Sequence, residues 1–487
     1  MAMRALKLIL AVSMASPLLA QTASDSIAAH AQAAQEAERR NDFPTAIREY
    51  DYLVHQLPRS IEMQSNLGVA LYFDHQWTRS IEVLRKASAL NPALLAPHLF
   101  SGLAWYQLAK PDAAAPELEK AVHLRSSDVI AHTWLGYTYV AQSRYKAASK
   151  QFEAVCRLAP DNIDAWYALG QSYLQIGKDA TRELLAIAPD GGRAWELAGE
   201  QSQLQGDNKK ALVDFQEANK RRPDIPELRK QIADMGGTAI AGPISQIGRN
   251  SQEEALYREA HDAEQDARTA FEHVIQIDPN SYRAHQIMAD ALIAEQQNEK
   301  GIEEYRTVLQ LKPDLPGIHE AVGNILVEAG KLPDALKEFQ DEVQLQPRSA
   351  TAHMNVGRVL LMMGDDESAG RSLADALKLD RPPLETYFLL GKLELRRNRY
   401  PVAIAALTHY LSTEKEASSA YYLLARAYRG TGDKEQMSRA LQLYKKTSQD
   451  IEKRGLAQKD LARLADKNQI AEEAADPKAA ALTGDNP

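Results

Sequence analysis

Residues 129–160, VIAHTWLGYTYVAQSRYKAASKQFEAVCRLAP, have the pattern of two short amphipathic helices. Apolar side chains recur every three or four positions in each half, which places them on one helical face. Gly136 lies inside the first predicted helix, where glycine costs about 1 kcal/mol relative to alanine. A glycine at this point predicts close contact with a neighbouring helix. Pro160 ends the unit, because proline cannot continue a helix.

The same unit recurs along the chain with a period of 34 residues. The closing prolines that keep this spacing within three groups are Pro58, Pro92 and Pro160, then Pro189 and Pro223, then Pro279, Pro313 and Pro347. The glycines of the first helix follow it too, at Gly68, Gly102, Gly136, Gly170, Gly323, Gly357 and Gly391. A helix–turn–helix unit repeated at this interval predicts a solenoid.

The repeated residues resemble the tetratricopeptide repeat (TPR) family, from about residue 27 to about residue 446. One copy has Trp166, Leu169, Gly170 and Tyr173 at the family's first-helix positions. Another has Trp195, Gly199, Ala211, Phe215, Ala218 and Pro223. The resemblance implies an all-α, right-handed superhelical solenoid of about twelve helix–turn–helix repeats. It also implies a binding function, with the first helix of each repeat, helix A, lining a concave groove.

Breaks in the period divide the chain. The interval from Pro160 to Pro189 is 29 residues and that from Pro223 to Pro279 is 56. The first break predicts a truncated second helix, helix B, near Gly177, and the second predicts an irregular seam that could contain a lone helix. The predicted segments are a signal peptide (1–20), an N-terminal block (21–225), a seam or linker (226–247), a C-terminal block (248–448), a capping helix (449–466) and a disordered tail (467–487).

The N-terminus predicts export. Arg4 and Lys7 precede a mostly apolar run that is too short to span a bilayer, and Ala20 is a plausible last residue before cleavage. We therefore expect a periplasmic or secreted bacterial protein, with an uncleaved N-terminal anchor as the alternative. A net charge of −9 argues against a general nucleic-acid binder. Cys156 is the only cysteine, which excludes an internal disulfide and suits a small core residue.

Catalysis and metal binding find no support in the pattern. The sequence contains no G-x-S-x-G motif, P-loop or G-x-G-x-x-G motif, so we predict neither an enzyme nor a cofactor. Five histidines share one repeat position: His98, His132, His285, His319 and His353. Equivalent residues of stacked repeats lie roughly 8–10 Å apart, too far to share one ion, whose ligands lie about 2 Å away. We interpret them as substitutes for the family's tryptophan and predict no metal site.

Cationic residues recur on the predicted groove of the last repeats. Arg358, Lys392 and Arg426 occupy one groove-facing position at 34-residue intervals, and Arg396 and Arg429 extend the row by one turn. Such a row suits an acidic peptide or a terminal carboxylate, which arginine binds bidentately; the alternative is a solvated charged face. Asn324 and Asn355 match the asparagines of a carboxylate clamp known in the family. The cationic positions of that clamp hold Glu320, Glu385 and Leu389, so carboxylate recognition would depend on the Arg358 row.

The N-terminal block offers aromatic residues instead. Tyr72, Tyr106, Tyr137 and Tyr167 lie on helix A, with Phe100 and Trp134 nearby. Aromatic side chains are enriched at binding hot spots, and the alternative is packing between repeats. We expect Phe100 and Trp134 in the core and favour Tyr137 and Tyr167 for the groove.

We therefore predict a non-enzymatic scaffold that binds peptide segments of partner proteins. A regulatory or substrate-recruiting subunit of an envelope enzyme, such as a glycosyltransferase or peptidase, is one alternative. An envelope-assembly or polysaccharide-export scaffold is another. We expect a protein or peptide partner, no nucleic acid, and membrane association only through partners or an uncleaved signal; the oligomeric state is left open.

Overall fold

The computed structural model describes residues 19–204, 206–242, 251–379 and 381–453. These residues form 23 α-helices and no strand. In chain order the helices are α1 (Leu19–Arg39), α2 (Phe43–Gln56), α3 (Ile61–Phe73), α4 (Trp77–Leu90), α5 (Leu95–Gln107), α6 (Pro111–Leu124), α7 (Val129–Ala141), α8 (Tyr145–Leu158), α9 (Ile163–Ile187), α10 (Gly192–Leu204), α11 (Asn208–Arg221), α12 (Pro226–Asp234), α13 (Ser251–Ile277), α14 (Tyr282–Ala294), α15 (Asn298–Leu311), α16 (Ile318–Glu328), α17 (Leu332–Leu345), α18 (Ala350–Met363), α19 (Asp366–Lys378), α20 (Glu385–Arg396), α21 (Tyr400–Thr413), α22 (Ser418–Thr431) and α23 (Lys434–Lys453). The all-α class is confirmed, whereas the number of repeats and the hand of the superhelix stay predictions.

A left-handed residue ends helix A in the regular repeats. These residues have positive φ and follow one another at 34-residue intervals: Asn41, His75, Ala109 and Ser143, then Gln296, Gly330, Gly364, Asn398 and Gly432. The N–H of the next residue donates back to a carbonyl oxygen of the last helical turn, as from Arg144 to Tyr139 at 2.8 Å. Such a bond satisfies a carbonyl that the helix end leaves without a partner. The turn thereby reverses the chain and begins helix B.

Close contact between the two helices of a repeat explains the periodic glycines. A Cβ added at Gly136 would lie 2.7 Å from the Phe152 ring of helix B, and one at Gly323 would lie 2.6 Å from Phe339. Gly68, Gly102, Gly199, Gly357 and Gly391 stand in the same relation to a leucine or phenylalanine sixteen residues later. The predicted close helix contact at Gly136 is confirmed.

The chain separates into two compact units, residues 1–172 and 173–487, and the division falls within α9. In the first unit, consecutive helices from α1 to α8 pack on one another around fully buried side chains such as Tyr50 and Phe152. In the second unit, α10 packs with α11, and α14 to α23 pack in sequence. The predicted seam at 226–247 lies within the second unit, and its lone helix is present as α12. The predicted block boundaries stay predictions.

Two long helices, α9 and α13, each lie where a helix–turn–helix repeat is expected. The prediction of a truncated helix B near Gly177 is wrong, because α9 continues through this glycine to Ile187. The helix α13 likewise runs unbroken past Asp262, which occupies the place of the left-handed turn residue. A Cβ at Gly177 would lie 3.3 Å from the carbonyl oxygen of Ala260. The second half of α9 therefore packs directly against α13.

Arg193 of α10 pairs with Glu254 of α13 and with the buried Glu196 of its own helix. Arg193 donates to Glu254 from Nε at 3.0 Å and from Nη2 at 2.7 Å, and from Nη1 to Glu196 at 2.6 Å. Its guanidinium lies 4.0 Å from the centre of the Tyr257 ring. Glu196 is 5% exposed, and burial raises its pKa against the effect of Arg193. Arg193 thus compensates the negative charge of a carboxylate that is almost fully buried.

Three of the sequence predictions lie largely outside the described residues. These are the signal peptide, the end of the capping helix after Lys453, and the C-terminal tail; α1 begins at Leu19 and passes through Ala20. No helix in the described part of the chain combines the length and the apolar composition needed to cross a membrane.

Candidate functional site

The cationic row lies on consecutive helix A segments of the second unit. Arg358 is on α18, Lys392 on α20 and Arg426 on α22, and α20 contacts both of the other helices. All three side chains are half-buried. The period therefore brings the three cations to equivalent places on neighbouring helices, as the sequence predicts. Whether they bind a ligand stays a prediction.

Arg358 is held by the repeat before it. Its Nη2 donates to Oδ1 of Asn324 at 2.5 Å, and the guanidinium lies 5.8 Å from the centre of the Phe339 ring. Its Nε is buried without a hydrogen-bond partner. This arrangement fixes the position of the charge while part of its donor capacity is unused.

The two predicted clamp asparagines have partners within the protein. Asn324 accepts the bond from Arg358, and Asn355 donates to Oε1 of Glu320 at 3.1 Å. Asn355 is only 3% exposed, and burial raises the pKa of Glu320. A ligand at these asparagines would have to displace the present bonds, which sequence matching alone did not reveal.

Arg396 and Arg429 differ from the other three cations. Both are exposed. Arg396 donates to the carbonyl oxygen of Leu361 at 2.7 Å and pairs with Asp366 at 3.1 Å. A cation at the C-terminal end of α18 is favourable because carbonyl groups there lack helical partners. Arg396 therefore bridges to the preceding repeat, and Arg429 is on the last helical turn of α22.

The aromatic residues of the first unit pack largely on one another. Tyr106 meets Trp134 edge to face at 5.2 Å, and Tyr137 meets Phe152 in the same way at 5.2 Å. Tyr72 meets Phe100 at 5.4 Å, and Phe100 is in the core as expected, at 6% exposed.

The exposed fractions of these aromatics differ from expectation at one position. Trp134, expected in the core, is half-buried, as are Tyr72, Tyr106, Tyr137 and Tyr167. Burial raises the pKa of Tyr72 and of Tyr106. Tyr167 accepts a hydrogen bond from Gln171 at 3.0 Å. Packing thus uses part of each ring, and their binding role stays a prediction.

The shared histidine position makes the bond that tryptophan makes elsewhere. Nε1 of Trp166 donates to the carbonyl oxygen of Pro160 at 2.7 Å, six residues back. Nε2 of His98, of His132 and of His353 lies 3.0 Å from the carbonyl oxygen six residues before each. This contact supports the interpretation of these three histidines as tryptophan substitutes.

A second partner of these histidines was missed. Nδ1 contacts a carboxylate or amide nineteen residues later, on helix B, in five repeats: His30–Glu49, His98–Glu117, His132–Gln151, His285–Glu304 and His319–Glu338. The interval is visible in the sequence, but its meaning depends on which faces of helices A and B meet. The hydrogen bond with Glu338 raises the pKa of His319 above its usual value.

Cys156 is a core residue, as predicted. It is 4% exposed, and burial raises its pKa to about 12. The thiol is therefore protonated and shielded at neutral pH, which argues against a nucleophilic role.

Comparison with protein families identifies three segments. A family model described as TPR repeat matches residues 136–177, and one described as tetratricopeptide repeat matches residues 322–383 and 388–450. No curated protein matches the chain. The family resemblance of these segments is confirmed.

Several solved structures also match parts of this chain, with low identity and low TM-scores. MamA from Desulfovibrio magneticus RS-1 (residue 41 to the end) is 18% identical, with 42% of this chain and 97% of that chain covered and a TM-score of 0.30. YrrB, described as a TPR protein with an unusual peptide-binding site, is 17% identical over 37% of this chain and 93% of that chain, with a TM-score of 0.32. The Cut9–Hcn1 assembly of the APC/C is 13% identical over 90% of this chain and 96% of that chain, with a TM-score of 0.35. At these values the likeness carries no argument about function.

Proposed function

Because this chain is built from tetratricopeptide repeats, which typically serve as non-catalytic interaction scaffolds, we propose that it binds an acidic peptide segment of a partner protein. The binding surface is formed by α18, α20 and α22. The observation that carries the proposal is the row Arg358, Lys392 and Arg426 at equivalent positions of three neighbouring helices.

The spacing of the row favours an extended ligand. Neighbouring packed helices lie roughly 8–10 Å apart. An extended chain in the polyproline II conformation advances about 3.1 Å per residue and has three residues per turn. Acidic side chains three positions apart would therefore lie on one face, about 9 Å apart, and meet successive cations. The guanidinium of Arg358 is already oriented by Asn324 at 2.5 Å, which lowers the entropy lost when it binds a carboxylate.

We propose further that the partner is an envelope protein. The basis is the predicted export sequence that precedes Ala20. An assembly scaffold or the recruiting subunit of an envelope enzyme would use the same surface. The alternatives differ only in which partner protein contains the acidic segment. The aromatic residues of the first unit, of which Phe73 is 40% exposed, offer a second surface for another part of the partner.

Fluorescence anisotropy with a labelled twelve-residue peptide, acidic at every third position, tests the proposal. We expect the triple variant Arg358→Glu/Lys392→Glu/Arg426→Glu to weaken binding at least tenfold, because three attractions become repulsions. The matched control Lys337→Glu/Arg371→Glu/Lys378→Glu has the same charge change on the helix B segments α17 and α19. It should bind as the wild type does.

Equal loss in both triple variants would show that only net charge matters, and the row would then be a solvated face. Absence of binding to the wild-type chain would overturn the acidic-peptide proposal. Peptides with a free and an amidated C-terminus, compared side by side, report whether a terminal carboxylate contributes.

A further inference from the structure

The repeat formed by α16 and α17 differs from the others at its histidine. His319, Glu338 and Asp341 place one nitrogen and two carboxylate oxygens within 4.8 Å of one another, the only such His, Cys, Asp or Glu group in the described part of the chain. His319 begins helix A, and Glu338 and Asp341 lie one turn apart on helix B. The three side chains therefore converge from both helices of one hairpin.

Other repeats show what is usual at this place. In the His98 repeat, the residue equivalent to Asp341 is Lys120, whose Nζ pairs with Glu117 at 3.5 Å. In the His285 repeat, the equivalent residue is Thr307. In these repeats one histidine faces one carboxylate, and the position equivalent to Asp341 holds a cation or a neutral residue. Asp341 instead adds a second carboxylate beside the histidine.

The surroundings of His319 are anionic. The charges that act on it are those of Glu338, Asp341 and Glu342. Glu342 is already occupied, since it is fully buried and accepts from the N–H of Gly317 at 2.9 Å. Glu338 and Asp341 are left to face the imidazole, and a cation from solution would balance them.

We propose that His319, Glu338 and Asp341 bind a divalent transition-metal ion of the zinc class. An imidazole with two carboxylates is a ligand set that zinc accepts, whereas Mg²⁺ and Ca²⁺ prefer oxygen ligands alone. Ligand atoms around tetrahedral zinc lie about 3.3–3.6 Å apart, given bonds of about 2.0–2.2 Å. The present 2.7 Å contact between His319 and Glu338 would open slightly, and Asp341 would move inward.

The site is accessible. The side chains of His319 and Glu338 are 19% and 22% exposed, so an ion can enter without unfolding the hairpin. Three protein ligands leave a fourth position for water or for a partner's side chain. A bound ion would clamp α16 to α17, next to the helices that carry the cationic row. Zinc binding at this place does not require peptide binding by that row.

Isothermal titration of the untagged, EDTA-treated full chain with ZnCl₂ tests the site. We expect one zinc per wild-type chain. Asp341→Lys, which copies the residue of the His98 repeat, and His319→Gln should each weaken binding at least tenfold. His285→Gln removes a histidine at the same repeat position that lacks the third ligand, and it should leave binding unchanged.

A variant that gains a zinc site complements the variants that lose one, because a folding defect would not create a new site. Thr307→Asp places a carboxylate beside His285 and Glu304, and it should add a second zinc per chain. Zinc should also raise the melting temperature of the wild type but not that of Asp341→Lys, and circular dichroism reports whether each variant is folded. Absence of saturable binding, or equal loss in His285→Gln and His319→Gln, overturns the proposal.

Discussion

Gly136 packs so closely against Phe152 that adding a single methyl group tests the contact between the two helices of this repeat. A Cβ there would lie 2.7 Å from ring atoms of Phe152, a buried side chain that cannot swing into solvent. We expect Gly136→Ala to destabilise the first unit by about 1–3 kcal/mol, the usual cost of overpacking. Urea denaturation followed by circular dichroism measures this loss.

The sign of the same substitution should reverse once the ring is removed. In a Phe152→Ala background the added methyl group meets open space, and alanine is favoured over glycine in a helix by about 1 kcal/mol. Gly136→Ala should then be neutral or stabilising. A similar loss of stability in both backgrounds would mean that Phe152 is not the cause.

Cys156 should resist thiol reagents until the chain unfolds. With a pKa of about 12, only about one thiol in ten thousand is ionised at pH 8, and the sulfur is buried as well. Labelling with Ellman's reagent should be slow in buffer and fast in denaturant. The control is Cys156→Ala/Arg157→Cys, which moves the thiol to a neighbouring side chain that is 70% exposed and should react at once.

The interaction of α10 with α13 depends on Arg193. Arg193→Met leaves Glu196 buried without its cation, and the loss of one partner of a buried pair costs about 3–5 kcal/mol. Hydrogen exchange in α13 should rise accordingly. Arg182→Met, which breaks an exposed pair with Asp179, should change stability by less than about 1 kcal/mol. Equal effects of the two variants would mean that Arg193 does not specifically stabilise the packing of α10 against α13.

Periodicity predicted the regular helices closely and failed where the period itself is broken. Helix α7 begins where expected, at Val129, because apolar spacing and turn residues agree there. At Asp262 the surrounding alanine, glutamate and glutamine residues favour continued helix, so no turn forms. The outcome at Gly177 depends on its contact with Ala260, a residue far along the chain that local sequence rules do not consider.

For the whole molecule, too, the 34-residue period predicts one part of the candidate site and not the other. Repeat arithmetic places Arg358, Lys392 and Arg426 in one row, since equivalent residues of a solenoid stack. It does not show that Asn355 binds Glu320, which requires the facing side chains of two repeats. Sequence reasoning about His319 compared histidines between repeats and so missed the carboxylates that approach within its own repeat.

Stability should be local to each compact unit. In a repeat array each element contacts mainly its neighbours, so a defect spreads only as far as those contacts couple. Gly136→Ala acts in the unit of residues 1–172 and Arg193→Met in the unit of residues 173–487. Hydrogen exchange read by mass spectrometry should therefore rise in different segments for the two variants.

We expect Gly136→Ala to raise exchange in α3 to α8 and to leave α14 to α22 unchanged, and Arg193→Met to raise it in α10 to α13 while α3 to α6 stay protected. The double variant should show the sum of both patterns, because the sites share no partner. A uniform rise along the whole chain after either substitution would instead mean that the two units unfold as one cooperative structure. A ligand bound at one end could then stabilise the other.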